Sequence, residues 1–111
     1  MLPPKRRINY SQVMNQVSQI KGLSTDTNKV SQDLDDVLKS TMKVWSGDAA
    51  NAFKTQCGTM IIDISNTAKK ITDLANKISD AASDIKREDD AAERRYQDYL
   101  KDQERKKTKA P

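Results

Sequence analysis

Residues 44–53 read VWSGDAANAF, and they interrupt a chain that otherwise carries two long amphipathic helical patterns. The stretch holds the only Trp and the only Phe of the chain. Gly47 is a poor helix residue because its backbone loses the most conformational freedom on folding. Ser46 or Asp48 is a suitable N-terminal cap for a new helix. The stretch therefore predicts a corner at which the Trp and Phe rings clamp two helices together.

The composition favours an all-α protein made of long helices. Of the 111 residues, 35% are hydrophobic and 32% are charged. These hydrophobic residues are too few to form a thick globular core, but they are enough for amphipathic helices that each bury one apolar face. The chain interior has no proline, as long helices require, because the prolines are Pro3, Pro4 and Pro111. The length corresponds to a single domain.

Heptad spacing predicts the first helix, from about residue 10 to residue 44. One series at intervals of seven consists of Val13, Ile20, Thr27, Leu34 and Thr41. A companion series, offset by three positions, consists of Leu23, Val30, Val37 and Val44. The two series together predict one buried seam along a helix of roughly 50 Å.

A stronger heptad series predicts the second helix, from about residue 48 to residue 103, on the order of 80 Å long. Its members are Cys57, Ile64, Ile71, Ile78, Ile85, Ala92 and Tyr99. A second set, three or four positions further on, includes Ile61, Ala68, Leu74, Ala75, Ala81 and Ala82. We expect Cys57 to be a small buried hydrophobe, the alternative being an intermolecular disulfide after export.

These patterns predict an antiparallel two-helix hairpin with its bend at residues 45–47 and a C-terminal helical extension. Residue i of one arm then faces about residue 93 − i of the other, which places Tyr10 near Ser83. The apolar seam of the second helix continues beyond that point. The predicted segments are a flexible basic tail at 1–8, the helical hairpin at 9–103 and a second basic tail at 104–111.

A hairpin only two helices thick leaves its apolar seams half exposed, and exposed apolar stripes mark interfaces. We therefore expect assembly into a four-helix bundle, as a homodimer or as a heterodimer with another helical protein. The residues predicted to form the partner seam are Ile64, Ile71, Ile78, Ile85, Tyr96 and Tyr99.

The chain lacks the side chains of common catalytic and metal sites. It has no His and a single Cys, which removes the usual zinc sites and the Cys–His and Ser–His pairs. The acidic clusters at 33–36 and 88–90 consist of neighbouring helical residues, whose carboxylates point in different directions and do not converge on a metal ion. We therefore expect no enzymatic activity, no metal and no cofactor.

No apolar run approaches the length of a membrane span, and no apolar segment follows Lys5, Arg6 and Arg7 as in a secretory signal peptide. We expect a protein that is cytoplasmic before export and is secreted without a cleavable signal peptide. The net charge of +4 is concentrated at the chain ends. There the basic residues are either solvated or in contact with phosphate or anionic lipid.

The hairpin pattern with Trp-x-Gly at its bend resembles the WXG family of small type VII (ESX) secretion substrates, the ESAT-six-like proteins. The likeness covers about residues 8–90. It implies that Trp45 to Gly47 form the bend, that Phe53 packs at the joint and that the protein pairs with another helical protein. The matching residues are Trp45, Ser46, Gly47, Ala49, Ala50, Ala52 and Phe53.

Members of that family carry an aromatic residue, followed four positions later by an acidic one, as part of their export signal. Neither Tyr96 nor Tyr99 has an acidic residue at that distance. The best positional match is the pair Ile85 and Asp89, where an aliphatic residue replaces the aromatic one. Ile85 is also the next member of the Ile heptad, so both interpretations stay open. The departure indicates that a partner completes the signal.

The C-terminal extension from residue 87 resembles the small helical partners encoded beside LXG toxins in Gram-positive bacteria. That likeness implies binding to the helical N-terminal domain of such a toxin and its delivery to the type VII secretion ATPase. Two other functions compete with this hypothesis. One is nucleic-acid binding through the basic ends, which the acidic central body disfavours, and the other is a purely structural coiled coil.

Overall fold

The computed structural model describes residues 7–108, which form two α-helices joined by a short connector. Helix α1 spans Tyr10–Met42 and helix α2 spans Asp48–Thr108. No β-strand occurs among the described residues. The molecule is a rod with extents of 99 × 16 × 14 Å. The expected all-α class is therefore confirmed.

The helix ends differ from the predicted ones by a few residues. Helix α1 ends at Met42 rather than at about residue 44. Helix α2 continues through residues 104–108, which the sequence had assigned to a basic tail. Of the predicted N-terminal tail, Arg7 and Ile8 are described, and both form hydrogen bonds with α2. Residues 1–6 and 109–111 of the two predicted tails lie outside the described residues.

The two helices run antiparallel in the expected register. The Tyr10 hydroxyl lies 3.3 Å from Ser83 Oγ. The Ser79 hydroxyl donates a weak hydrogen bond to Met14 Sδ at 3.7 Å. In both pairs the residue numbers add up to 93. The single helix breaker between two periodic segments therefore determines which residues face each other.

Small side chains fill the seam between the helices. At its centre the Ser24 hydroxyl donates a 2.6 Å hydrogen bond to the backbone carbonyl of Ala68. Since serine has a very short side chain, this bond requires the two backbones to approach closely. The buried residues of α1 recur every seven positions and are Val17, Ser24, Ser31 and Leu38. Those of α2 are Ala50, Cys57, Ala68, Ala75 and Ala82.

The predicted burial of the companion series on α1 is wrong. Leu23, Val30 and Val37 are between 55% and 59% exposed. Successive helical residues are rotated by about 100°, and Leu23 directly precedes the buried Ser24. Because small residues allow closer contact than branched ones, the seam follows Ser24 and leaves the aliphatic series at its edge. Burial of Cys57, by contrast, is confirmed.

The connector reverses the chain direction through a glycine with a positive φ angle. Val44 N–H still bonds the Thr41 carbonyl at 3.1 Å, and the chain reverses through Gly47, whose φ of 107° favours glycine. The Gly47 carbonyl accepts the first helical bond of α2, from Asn51 N–H at 2.9 Å. Asp48 therefore lies inside the first turn rather than at the expected cap position, where its charge still complements the helix dipole.

The two aromatic side chains expected at the corner do meet. The ring centroids of Trp45 and Phe53 are 5.5 Å apart, with planes inclined by 49°. The Trp45 side chain remains 42% exposed. The pair thus links the connector to the second turn of α2, while one side of the indole faces solvent.

Enlarging the seam is expected to destabilise the hairpin. Ala75→Leu should lower the free energy of unfolding by about 1–3 kcal/mol, because extra methylene groups have no room between closely packed helices. Ala75 is 0% exposed. The matched control is Ala81→Leu, at an exposed position of the same helix, with an expected change within about 0.5 kcal/mol. Urea unfolding measures both, and equal midpoints for the two variants would contradict close packing.

Removing the indole is expected to have a moderate effect. Trp45→Ala should lower the free energy of unfolding by about 1–2 kcal/mol, below the 3–5 kcal/mol typical of a fully buried ring. The control is Val44→Ala, because the neighbouring Val44 is 86% exposed. Thermal melts of the two variants and the wild type give the comparison. A Trp45→Ala protein that melts with the wild type would show that the aromatic pair does not hold the corner.

Candidate protein-interaction surface

One side of the hairpin is polar, and it forms a shallow groove between the helices. On α1, Thr25 follows the buried Ser24, so it lies on one flank of the seam, while Leu23 lies on the other. The hydroxyl of Thr72 lies 2.6 Å from Ser24 Oγ at the bottom of the groove. We call this side the polar face, and its lining residues include Ser24, Thr25, Asn28, Ser65, Lys69 and Thr72.

The opposite side carries most of the large exposed hydrophobic residues of both helices, whereas Ile62, which is 61% exposed, lies seven residues before Lys69 and so on the polar side. On α2, Lys69 follows the buried Ala68 and Leu74 precedes the buried Ala75, so they occupy opposite flanks of the seam. Since Lys69 lines the polar face, Leu74 lies on the side away from it, as Leu23 does on α1. We call this side the apolar face, and its most exposed members are Leu23, Val30, Val37, Met60 and Leu74.

Three residues of the predicted partner seam lie where the apolar face meets the hairpin core. Ile64, Ile71 and Ile78 are half-buried, so each presents part of its side chain outward. Leu74, on the adjacent flank, is 53% exposed. The sequence identified the isoleucine series but missed the α1 residues of this face, because it assigned them to the core. The exposure of these α1 residues could be recognised only after the structure showed that Ser24, and not Leu23, lies in the seam between the helices.

The other three predicted partner residues lie toward the free end of α2. Ile85 is 48% exposed. The half-buried rings of Tyr96 and Tyr99 stack with centroids 6.5 Å apart. Among the described residues, hydrogen bonds between the first arm and α2 end at Asp90. The rest of α2 extends about 25 Å further at the usual helical rise.

At the open end of the hairpin, residues before α1 bind carboxylates of α2. The Ile8 backbone N–H donates to Asp89 Oδ2 at 2.7 Å. The Arg7 guanidinium pairs with the Asp90 carboxylate, which also accepts from Lys86 at 3.0 Å. Sequence periodicity gave no sign of these contacts, because they join an irregular segment to a helix. The candidate signal residue Asp89 is therefore occupied by the chain's own backbone.

The charge environment of Asp90 alters its titration. The hydrogen bond from Lys86 lowers the pKa of the Asp90 carboxyl, and Arg7 acts in the same direction, while partial desolvation opposes them. The Lys86 ammonium also lies 5.8 Å from the centre of the Tyr10 ring, close enough for a weak cation–π attraction. Lys86 thus contacts both the first residue of α1 and a carboxylate of its own helix.

Within residues 7–108, no three His, Cys, Asp or Glu side chains converge as a set of metal ligands. Neither described helix has a stretch long and apolar enough to cross a membrane. Several acidic side chains instead form ion pairs within one helix, such as Asp35 with Lys39 at 2.8 Å, and Asp90 pairs with Arg7 of the segment before α1. What the surface offers to other molecules is an apolar face and a free helical end.

The chain matches no known protein family, and no curated protein or solved structure matches it. The likeness of its connector to the WXG family therefore stays a prediction from the sequence.

Acid is expected to weaken the open end of the hairpin through Asp90. Because folding lowers the pKa of this carboxyl, its contribution to stability is present above the unfolded pKa of about 3.9 and is lost as the pH falls through the folded value. Asp90→Asn should therefore show a smaller fall in melting temperature than the wild type between about pH 6 and pH 3. Parallel melting curves for the two proteins across that range would contradict a stabilising role for the ionised carboxylate.

Proposed function

We propose that this protein is a small substrate or adapter of type VII (ESX) secretion, which binds a helical protein through its apolar face. The observation that carries the proposal is the exposure of several large apolar residues along one side of a hairpin whose other side is mostly polar. Exposed apolar surface of this kind is costly in water and typically marks an interface. The partner is a second copy of the chain or the N-terminal domain of an LXG toxin.

A helical hairpin is the partner shape that suits this face. Two hairpins that pack face to face bury both apolar stripes and form a four-helix bundle, an established arrangement for amphipathic helices. The polar face then remains in water, so the assembly stops at four helices. Trp45 and Phe53 at the corner agree with the structural role that the WXG resemblance implies for them.

The free end of α2 is the proposed contact for the secretion ATPase. Exposed Ile85 and the paired Tyr96 and Tyr99 supply apolar anchors on a helix that extends past α1. Helix-in-groove recognition uses anchors at such spacings. In this proposal Ile85 and Asp89 take the place of the usual aromatic and acidic residues of the export signal, and the bound partner completes it.

A single charge on the apolar face tests partner binding. Leu74→Asp should leave the helical content unchanged, because Leu74 is exposed, yet it should weaken assembly at least about tenfold by placing an unpaired charge in the interface. The control is Thr25→Asp, at an exposed position of the polar face, which should assemble like the wild type. Analytical ultracentrifugation, alone and after co-expression with the products of neighbouring genes, measures assembly.

Secretion itself is tested in the native bacterium. The protein should appear in the culture medium, or be required there for a toxin encoded beside it, only in cells with an intact type VII ATPase. Retention of the protein in the cells, with unchanged toxin export in its absence, would rule out both roles. Salt-dependent binding to generic DNA with no assembly would instead favour the nucleic-acid alternative.

A further inference from the structure

Residues 7–9 form a short strap across the open end of the hairpin. Ile8 N–H donates to Asp89 Oδ2 at 2.7 Å, and Arg7 pairs with Asp90. Asn9, the last residue of the strap, uses its side chain to cap α1 by accepting a 3.1 Å bond from Gln12 N–H. The strap is therefore bonded to α2 through Arg7 and Ile8 and to α1 through Asn9.

We propose that this strap is an autoinhibitory contact that withholds Asp89 from outside binding partners until it lifts off α2. The inference rests on the proposed function, because Asp89 is half of the candidate export signal. In the closed state one oxygen of its carboxylate is occupied by the backbone of residue 8. When the strap lifts, that oxygen is free to accept a hydrogen bond from another protein.

The contacts allow the strap to open without unfolding α1. Asn9 precedes α1 and its side chain bonds Gln12 of that helix, so α1 keeps its cap when Arg7 and Ile8 leave α2. Tyr10 remains held by Ser83 through their hydroxyl contact. Opening breaks one backbone hydrogen bond to Asp89 and one partly exposed ion pair, whose Arg7 side chain is 46% exposed, and it uncovers the half-buried Ile8 side chain. Exposed ion pairs contribute little, so the hydrogen bond to Asp89 and the packing of Ile8 are the contacts that mainly hold the strap on α2.

Asp89, rather than its neighbour Asp90, is the residue whose release matters. Asp89 and Ile85 are four residues apart and share a face of α2, and Ile85 is already exposed. Lifting the strap therefore presents an apolar group and a carboxylate together. Asp90 keeps its bond from Lys86 on the same helix even when Arg7 leaves, so it is not freed in the same way.

Proline at position 8 tests the lock directly. Ile8→Pro removes the N–H that Asp89 accepts, while the control Ile8→Ala keeps that N–H and shortens the side chain. The purified full chain is treated with a water-soluble carbodiimide and an amine, and mass spectrometry measures modification at each carboxylate. Position 8 precedes α1, so circular dichroism should show unchanged helical content in both variants.

We expect the Asp89 carboxylate to react about tenfold faster in Ile8→Pro than in Ile8→Ala. The reason is that Ile8→Pro removes one charge-assisted hydrogen bond to this carboxylate, and the free energy of such a bond corresponds to a rate ratio of about ten. The exposed Asp98 serves as the internal reference and should react equally in both. Equal reactivity of Asp89 in the two variants, or wild-type reactivity of Asp89 as high as that of Asp98, overturns the strap.

Hydrogen exchange at the Ile8 amide gives a second measurement that needs no proline. Asp89→Ala should accelerate exchange of this amide about tenfold, because its acceptor is lost, and an unchanged rate overturns the proposal. Both measurements use the isolated protein, so they decide the strap whether or not the chain is exported. Failure of export in cells counts against the proposed function alone.

Discussion

Close contact between small side chains along one seam determines the rest of this molecule. Ser24 reaches the backbone carbonyl of Ala68 because nothing larger separates the two helices. Ala75 and Ala82 continue the seam toward the open end. Where Ser24 and Ala68 bring the backbones this close, the neighbouring branched side chains, such as Leu23, lie on the flanks, while Val17 and Leu38 are buried further along the seam. One flank is mostly polar on both helices and the other mostly apolar, so the packing of the seam also determines which residues form the outer surface.

The same seam limits how stable the isolated hairpin is. Among side chains that are almost fully inaccessible, Val17 is the largest, and alanine contributes little apolar area when buried. The polar seam residues Ser24 and Thr72 hydrogen-bond each other across the helices, which removes a desolvation penalty without adding much stability. Burial of the apolar face against a partner would add the missing apolar contact. Folding and assembly are therefore expected to be thermodynamically linked.

The sequence predicts the helices and their register but not the rotation of each helix about its axis. One glycine between two proline-free periodic segments is enough to place Tyr10 opposite Ser83. A spacing of seven residues, however, is the same for every stripe of a helix, and the stripe with Leu23 lies about 100° around the axis from the stripe with Ser24. We expected the stripe with Leu23 to be buried because aliphatic residues bury the most area, whereas close backbone approach selects the stripe with Ser24.

Two further features of the structure were not predicted from the periodicity of the sequence. The pairing of Arg7 and Ile8 with carboxylates of α2 joins an irregular segment to a helix, so no repeat in the sequence reports it. The continuation of α2 to Thr108 reflects good helix formers in a strongly charged stretch, together with basic residues in the last turn that complement the helix dipole. We had assigned residues 104–108 to a basic tail because they are highly charged, but a highly charged segment can also form an exposed helix.

The two ends of the hairpin differ in the contacts that hold the helices together. At the connector, a covalent link, a positive-φ glycine and the contact of Trp45 with Phe53 hold the helices together. At the open end, the polar contacts of Arg7 and Ile8 with α2 do so together with the half-buried side chain of Ile8, and none of residues 7–10 is fully buried. Local opening begins where buried apolar contact is least. The strap and Ile85 therefore lie in the part of the hairpin that is expected to open most readily. The seam between the remaining residues keeps the apolar face in a fixed shape, as the proposed binding of a partner requires.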